Sequence, residues 1–220
     1  MTKPGLPVTA YLMLTLSAII FALTMLNKHR QAEKNQFAIQ QQQLRVSLDQ
    51  VVGPNPQYQG NVSSPYTLVE FGDYECPPCH AVHKDVQHLL KEYPSQLKLV
   101  FRNMPLTTIH PFAMQAAVSA ESARSQGVFW RVHDELYEID PEKFNSYSIQ
   151  KVISRCVPDQ KRFREVARTS AMGVIKSDMA TAKKLAVNGT PTFILCCPNR
   201  KVFRLKSLTQ VGSIVGNSTL

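Results

Sequence analysis

The chain has 220 residues, 44% of them hydrophobic, which is enough to bury one ordinary core and leave length for an appendage. Its net charge of +9 raises the question of a nucleic-acid partner, but the cations are scattered (Lys84, Lys91, Lys98, Arg102, Lys151, Arg155, Lys161, Arg162, Arg164, Lys183) with no basic stripe interleaved with aromatics, so no nucleic-acid partner is expected. Five cysteines are too few for a disulfide-stapled miniprotein, and their odd number means that not all can pair within one chain.

The run Pro7 to Leu26, PVTAYLMLTLSAIIFALTML, carries no charge and is as long as a helix needs to be to cross a bilayer. A cleaved leader would close on a small-residue site, whereas this run ends Ala22-Leu23-Thr24-Met25-Leu26 and meets Asn27 and Lys28. The expectation is therefore an uncleaved anchor over residues 1–27. Residues 28–60 read as a polar, Gln-rich helical stalk, with Phe37, Leu44, Leu48 and Val51 near helical spacing and a break at Gly53-Pro54-Asn55-Pro56. The folded domain is expected over residues 61–220.

Within it, Tyr66-Thr67-Leu68-Val69-Glu70-Phe71 reads as a buried strand, left through the loop Gly72-Asp73-Tyr74-Glu75. Cys76-Pro77-Pro78-Cys79 follows at once. Val82, Val86, Leu89 and Leu90 mark a helix closed by Pro94, and Leu97-Lys98-Leu99-Val100-Phe101 a second strand. A helical insert is expected over about 105–187. Strand character returns at Thr192-Phe193-Ile194-Leu195 and Val202-Phe203-Arg204-Leu205, before a weakly amphipathic Leu208, Val211, Ile214 and Val215. The order is βαβ, helical insert, ββα, an α/β fold.

A cysteine at a helix start sits where unpaired N–H groups and the positive end of the macrodipole favour a thiolate. Cys76 is accordingly expected as the exposed attacking sulfur and Cys79, one turn in, as the resolving thiol. Pro77 and Pro78 suit a first helical turn but remove two N–H groups, so the stabilisation should be moderate.

The segment Leu68 to Cys79 resembles the active-site segment of DsbA-like thioredoxin-fold proteins. Phe101-Arg102-Asn103-Met104-Pro105-Leu106, His110-Pro111, Gln126-Gly127-Val128-Phe129-Trp130 and His133-Asp134 are similar to that family's helical insert, and Gly189-Thr190-Pro191-Thr192-Phe193 to its cis-proline loop, so the likeness covers roughly residues 62–206. It implies a thioredoxin fold with a helical insertion and dithiol-disulfide exchange with exported cysteine-containing proteins. It implies further that Pro191 faces the dithiol, that Thr190 offers backbone hydrogen bonds to a bound peptide, and that Glu70 is the buried acid assisting proton transfer at Cys79. A membrane oxidase or reductant would recycle the pair, and neither metal nor organic cofactor is needed. Lys28, Arg30 and Lys34 outnumber Lys3 across the apolar run, a bias that alone would keep the domain inside. Long domains translocate largely regardless of flanking charge, and a disulfide catalyst is useful where disulfides persist, so an extracytoplasmic domain on a membrane anchor is expected.

His80 and His83 are expected on the surface, His110 and His133 as organisers of the insert, and Phe129 and Trp130 in the core. Cys156 could pair with Cys196 or Cys197, or all three could be free thiols. Two rival readings of the motif stand beside exchange. Cys76-Pro77-Pro78-Cys79-His80 fits the attachment signature of c-type haem, and Cys76, Cys79, His80 or His83 could hold zinc or copper.

Overall fold

The computed structural model describes residues 8–40 and 43–216, with side chains at 13, 14, 16–31 and 43–216. The chain divides between Gln43 and Leu44 into two compact units. In the first, a single helix α1 (Val8–Gln40) continues from the apolar run into the polar segment. Its described apolar side chains, among them Leu16, Ile20 and Phe21, are exposed. Among the described residues no helix is long and apolar enough to cross a membrane. Pro7, where the expected span begins, and the side chains of residues 8–12 lie outside them.

The second unit is organised by a strand that is covered on both faces. All seven residues of β3 (Tyr66–Gly72) are buried, as suits a central strand covered on both faces, and they include the polar Thr67 and Glu70. It pairs in parallel with β4 (Leu97–Asn103) and antiparallel with β5 (Thr192–Cys196), which pairs antiparallel with β6 (Val202–Arg204). β2 (Tyr58–Gly60) lies antiparallel on β4. With the two-residue β1 (Gln43–Leu44), the sheet order is β1-β6-β5-β3-β4-β2. Glu70 stands opposite Phe101 on one side and Phe193 on the other.

Successive side chains of β3 point to opposite faces. Val69 and Phe71 join a core with Val100, Ile194 and Cys196, together with Val51 and Val52 of α2 (Leu48–Val52). Residues 47–60, expected in the stalk, thus carry α2 and β2. Ser47 and Gln50 form the capping box that starts α2, and its two valines close the lower face of the sheet.

The other face carries α3 (Pro77–Glu92), and the insert is built from α4 (Ala113–Ala123), α5 (Phe129–Tyr137), α6 (Ser146–Cys156), α7 (Gln160–Thr169) and α8 (Ala171–Lys184), of which α8 returns to the Val69 face, where Ala182 joins the core of α2. Asn145 and Asp159 cap α6 and α7 through their side-chain oxygens, and α9 (Thr209–Val215) is the last element among the described residues. The insert's core contains Phe129, Val132, Leu136, Ile149 and Cys156, with Trp130 packed against it, so the expectation for the two aromatics holds. Cys156 and Cys196 sit in different cores, and all five cysteines are free thiols in this structure.

One buried ion pair ties the insert to the sheet. Arg102 on β4 donates from Nε to Asp178 of α8 at 2.6 Å, with both side chains less than a tenth exposed. Asp178 also accepts from the Asn103 backbone N–H at 2.9 Å, and Arg102 donates to the Val51 carbonyl. Removing one partner leaves the other charge desolvated and unpaired, which is worse than losing the attraction alone. Asp178→Ala should therefore lower unfolding stability by about 3–5 kcal/mol in urea titrations, and a loss under about 1 kcal/mol would show that the pair does not bind the layers together.

Candidate active site

Cys76 is the N-cap of α3, with extended backbone angles (φ −78°, ψ 117°) and no side-chain capping bond. Pro77 and Pro78 occupy the first helical positions, so the first N–H of the helix belongs to Cys79 and bonds the Cys76 carbonyl at 3.0 Å. Cys79 is fully buried. Cys76 retains only 4% of its surface, which corrects the expectation of an exposed sulfur. The cover is the loop before β5: the Cys76 thiol donates to the Thr190 carbonyl at 3.4 Å, and the Thr190–Pro191 peptide is cis. Pairing of Phe71 with Thr192 brings the exit of β3 beside the entrance of β5, so the two loops meet although 114 residues separate Cys76 from Thr190.

The two thiols are driven apart in acidity. Hydrogen bonding from the Cys79 thiol, which outweighs partial burial, pulls Cys76 below the ordinary thiol range. Burial, and then the same hydrogen bond, pushes Cys79 far up. Glu70 is 1% exposed on the central strand, and burial, followed by the nearby Cys76 charge, pushes its carboxyl up to about 8. Its Oε1 has no hydrogen-bond partner among the described residues. A carboxyl that stays protonated near neutral pH is suited to exchanging a proton with a buried thiolate.

The loop from Gly72 to Glu75 is held more firmly than sequence reading foresaw. Asp73 is buried and accepts from the Glu75 N–H (2.9 Å), the Leu106 N–H (2.8 Å) and His110 Nδ1 (2.7 Å). Glu75 accepts from the Phe112 N–H at 2.6 Å. Two carboxylates thus clamp the approach to Cys76 onto the start of the insert, with His110 as partner. A run of acidic and aromatic residues directly before the cysteines was the available signal, but its partners lie more than thirty residues downstream. Gly72 is required at the strand exit, because a Cβ there would collide with the Phe101 ring.

His80 and His83 depart from the surface placement. His80 is half-buried, and its ring nitrogens face the Tyr137 carbonyl (Nδ1, 3.0 Å) and the Tyr74 carbonyl (Nε2, 2.6 Å), which leaves neither free for a metal. His83 is 5% exposed and stacks on Tyr137 with ring centroids 4.8 Å apart. The reason is the insert, whose α5 covers the face of α3 that a bare helix would show to water. Among the described residues Cys76, Cys79 and His80 belong to no group of three potential metal ligands.

The family model for thioredoxin matches residues 53–215, and the chain belongs to this family. A solved thioredoxin-like oxidoreductase from Silicibacter pomeroyi is 27% identical, superposes with a TM-score of 0.67, and is covered over 98% of its length by 79% of this chain. The thiol-disulfide exchange protein α-DsbA2 from Wolbachia pipientis shares the fold (TM-score 0.65, 22% identity, 76% of this chain and 89% of that one), which bears out the DsbA-like resemblance at the level of architecture. The chain is also 38% identical over 148 residues to the Na(+)/H(+) antiporter NhaA 3 of Salinispora tropica, a match covering 67% of this chain and 21% of that protein. The chain thus spans about a fifth of the length of the first curated relatives it matches.

Because the folded pKa of Glu70 lies above its ordinary 4.5, the stability that its neutral carboxyl allows is complete below about pH 4.5 and is lost as pH rises through about 8. Glu70→Gln cannot ionise and escapes that loss. The variant should gain on the parent between pH 5 and pH 8 by about 2 kcal/mol or more in urea unfolding. A difference independent of pH would place the titrating group elsewhere.

Proposed function

We propose that this protein is a disulfide oxidoreductase that exchanges disulfides with exported cysteine-containing proteins through Cys76 and Cys79. The observation that carries the reading is the contact of the Cys76 sulfur with the Thr190 carbonyl, on a cis-Pro191 loop, at the start of a helix whose next cysteine is fully buried. One thiol is pulled to lower pKa beneath the Thr190 loop, the other is pushed up and fully buried, which is the division of acidity that attack and resolution require.

In the oxidising direction a substrate thiolate attacks Cys76 Sγ and breaks the Cys76–Cys79 bond, and Cys79 leaves as a thiolate that takes a proton from Glu70. A second substrate thiolate then attacks the substrate sulfur of the mixed disulfide, forming the substrate disulfide and releasing Cys76 as its stabilised thiolate. Two electrons pass from the substrate dithiol to the enzyme. In the reducing direction Cys79 attacks Cys76 of the mixed disulfide instead. Thr190 and Pro191 line the approach and position the incoming chain, while Pro77 and Pro78 fix the first turn. The balance of directions follows from the couple's reduction potential relative to its compartment, which equilibration with glutathione measures.

The uncharged run Pro7 to Leu26 attaches the protein to a membrane, with the thioredoxin domain on the extracytoplasmic side, where a membrane redox partner reoxidises or reduces the dithiol.

Cys79→Ser should accumulate proteins joined through Cys76 that separate from it on non-reducing against reducing gels, and Cys76→Ala should form none and lose exchange activity on a scrambled substrate by at least about 100-fold. Absence of adducts from Cys79→Ser, with Cys76→Ala still active, would contradict this assignment.

A further inference from the structure

Behind the dithiol lies a second group of polar atoms that disulfide exchange does not use. His83 comes from α3, one turn beyond Cys79, and His133 and Asp134 are neighbours on α5. One ligand-capable atom from each lies within 4.8 Å of the other two, and His83 Nε2 is 3.6 Å from Asp134 Oδ1.

The decisive member is His133. It is fully buried, its Nδ1 is engaged with the Tyr74 hydroxyl at 3.0 Å, and its Nε2 has no hydrogen-bond partner among the described residues. Leaving a buried polar nitrogen unsatisfied is costly in a protein interior. With Nδ1–H donating to Tyr74, the Nε2 lone pair is free to ligate, and a ring held at one nitrogen by an outer hydrogen bond is how metal-bound histidines are oriented. Burial lowers the pKa of both histidines, which keeps them in the neutral ligating form. The Asp134 side chain is 41% exposed and supplies both the anionic ligand and a path from solvent.

We propose that His83, His133 and Asp134 form a binding site for a divalent transition metal of the Zn²⁺ class, bridging the active-site helix α3 to α5 of the insert. Two imidazoles and a carboxylate are a donor set suited to borderline cations and poorly suited to Ca²⁺ or Mg²⁺. Ligand atoms about 2.0–2.2 Å from a tetrahedral ion stand about 3.3 Å apart, so small side-chain rotations close the present spacing, with water completing the shell. The bond to the metal satisfies His133 Nε2 and crosslinks the two helices. The site is separate from the dithiol and stands whether or not exchange is the activity.

Because a reduced dithiol would itself take zinc, the test uses the full chain carrying Cys76→Ala and Cys79→Ala, free of affinity tags and stripped of metal. Calorimetric titration with ZnCl₂ should show one equivalent bound and a Zn²⁺-dependent rise in the thermal midpoint. Asp134→Asn in the same background should weaken binding at least about tenfold and abolish that rise, while melting like its parent without metal. If Asp134→Asn does not fold, His83→Gln is held to the same criteria. No stoichiometric binding by the parent, or equal binding by the folded variant, overturns the proposal.

Discussion

The site depends on one constraint, the antiparallel pairing of β3 with β5 in the register that sets Phe71 opposite Thr192. Because the strands run in opposite directions, the chain leaving β3 toward Cys76 and the chain entering β5 from Pro191 emerge at the same end of the sheet. A slip of one residue would turn Glu70 to the other face and move Thr190 away from the cysteine. The parallel pairing of β3 with β4 fixes the same strand from its other side and places Phe101 beside Glu70. The proposed chemistry is thus held by backbone hydrogen bonds in the most protected part of the molecule, while the loops supply the sulfur and its cover.

That frame sorts five chemically identical thiols. Burial raises Cys156, pushes Cys196 up to about 12 and Cys197 up to about 11, and pushes Cys79 far up. Cys76 alone is pulled down, because Cys79 donates to it from one helical turn away. Exposure does not make this distinction, since Cys197 is the more accessible sulfur. Glu70 is the counterpart on the proton side. Its neutral form is favoured by the same burial that disfavours a Cys79 thiolate, which is the condition the proposed proton exchange between the two requires.

Much of this was legible in the sequence, and the reasons are local. The apolar run of β3, the cysteines directly after it, the helical period of α3 and the strand pair near the carboxyl terminus are short-range patterns, and each element lies where its pattern put it. The covering of Cys76 was not legible, because it depends on a loop 114 positions away. His83 was misplaced for the same reason: periodicity on α3 reports one apolar stripe and cannot show that α5 covers the next. Asp73 was read as part of a turn, since a carboxylate in a loop carries no sign of the backbone N–H groups that will reach it from Leu106 and Glu75.

Competition among the five thiols tests the central claim most directly. Reduced protein, treated with less than one equivalent of an alkylating reagent at slightly acidic pH and mapped by peptide mass spectrometry, should carry the label almost entirely on Cys76. Labelling led by Cys197, or spread evenly over the cysteines, would mean that access rather than the pairing of Cys76 with Cys79 governs reactivity, and would contradict the assignment of Cys76 as the exchanging sulfur.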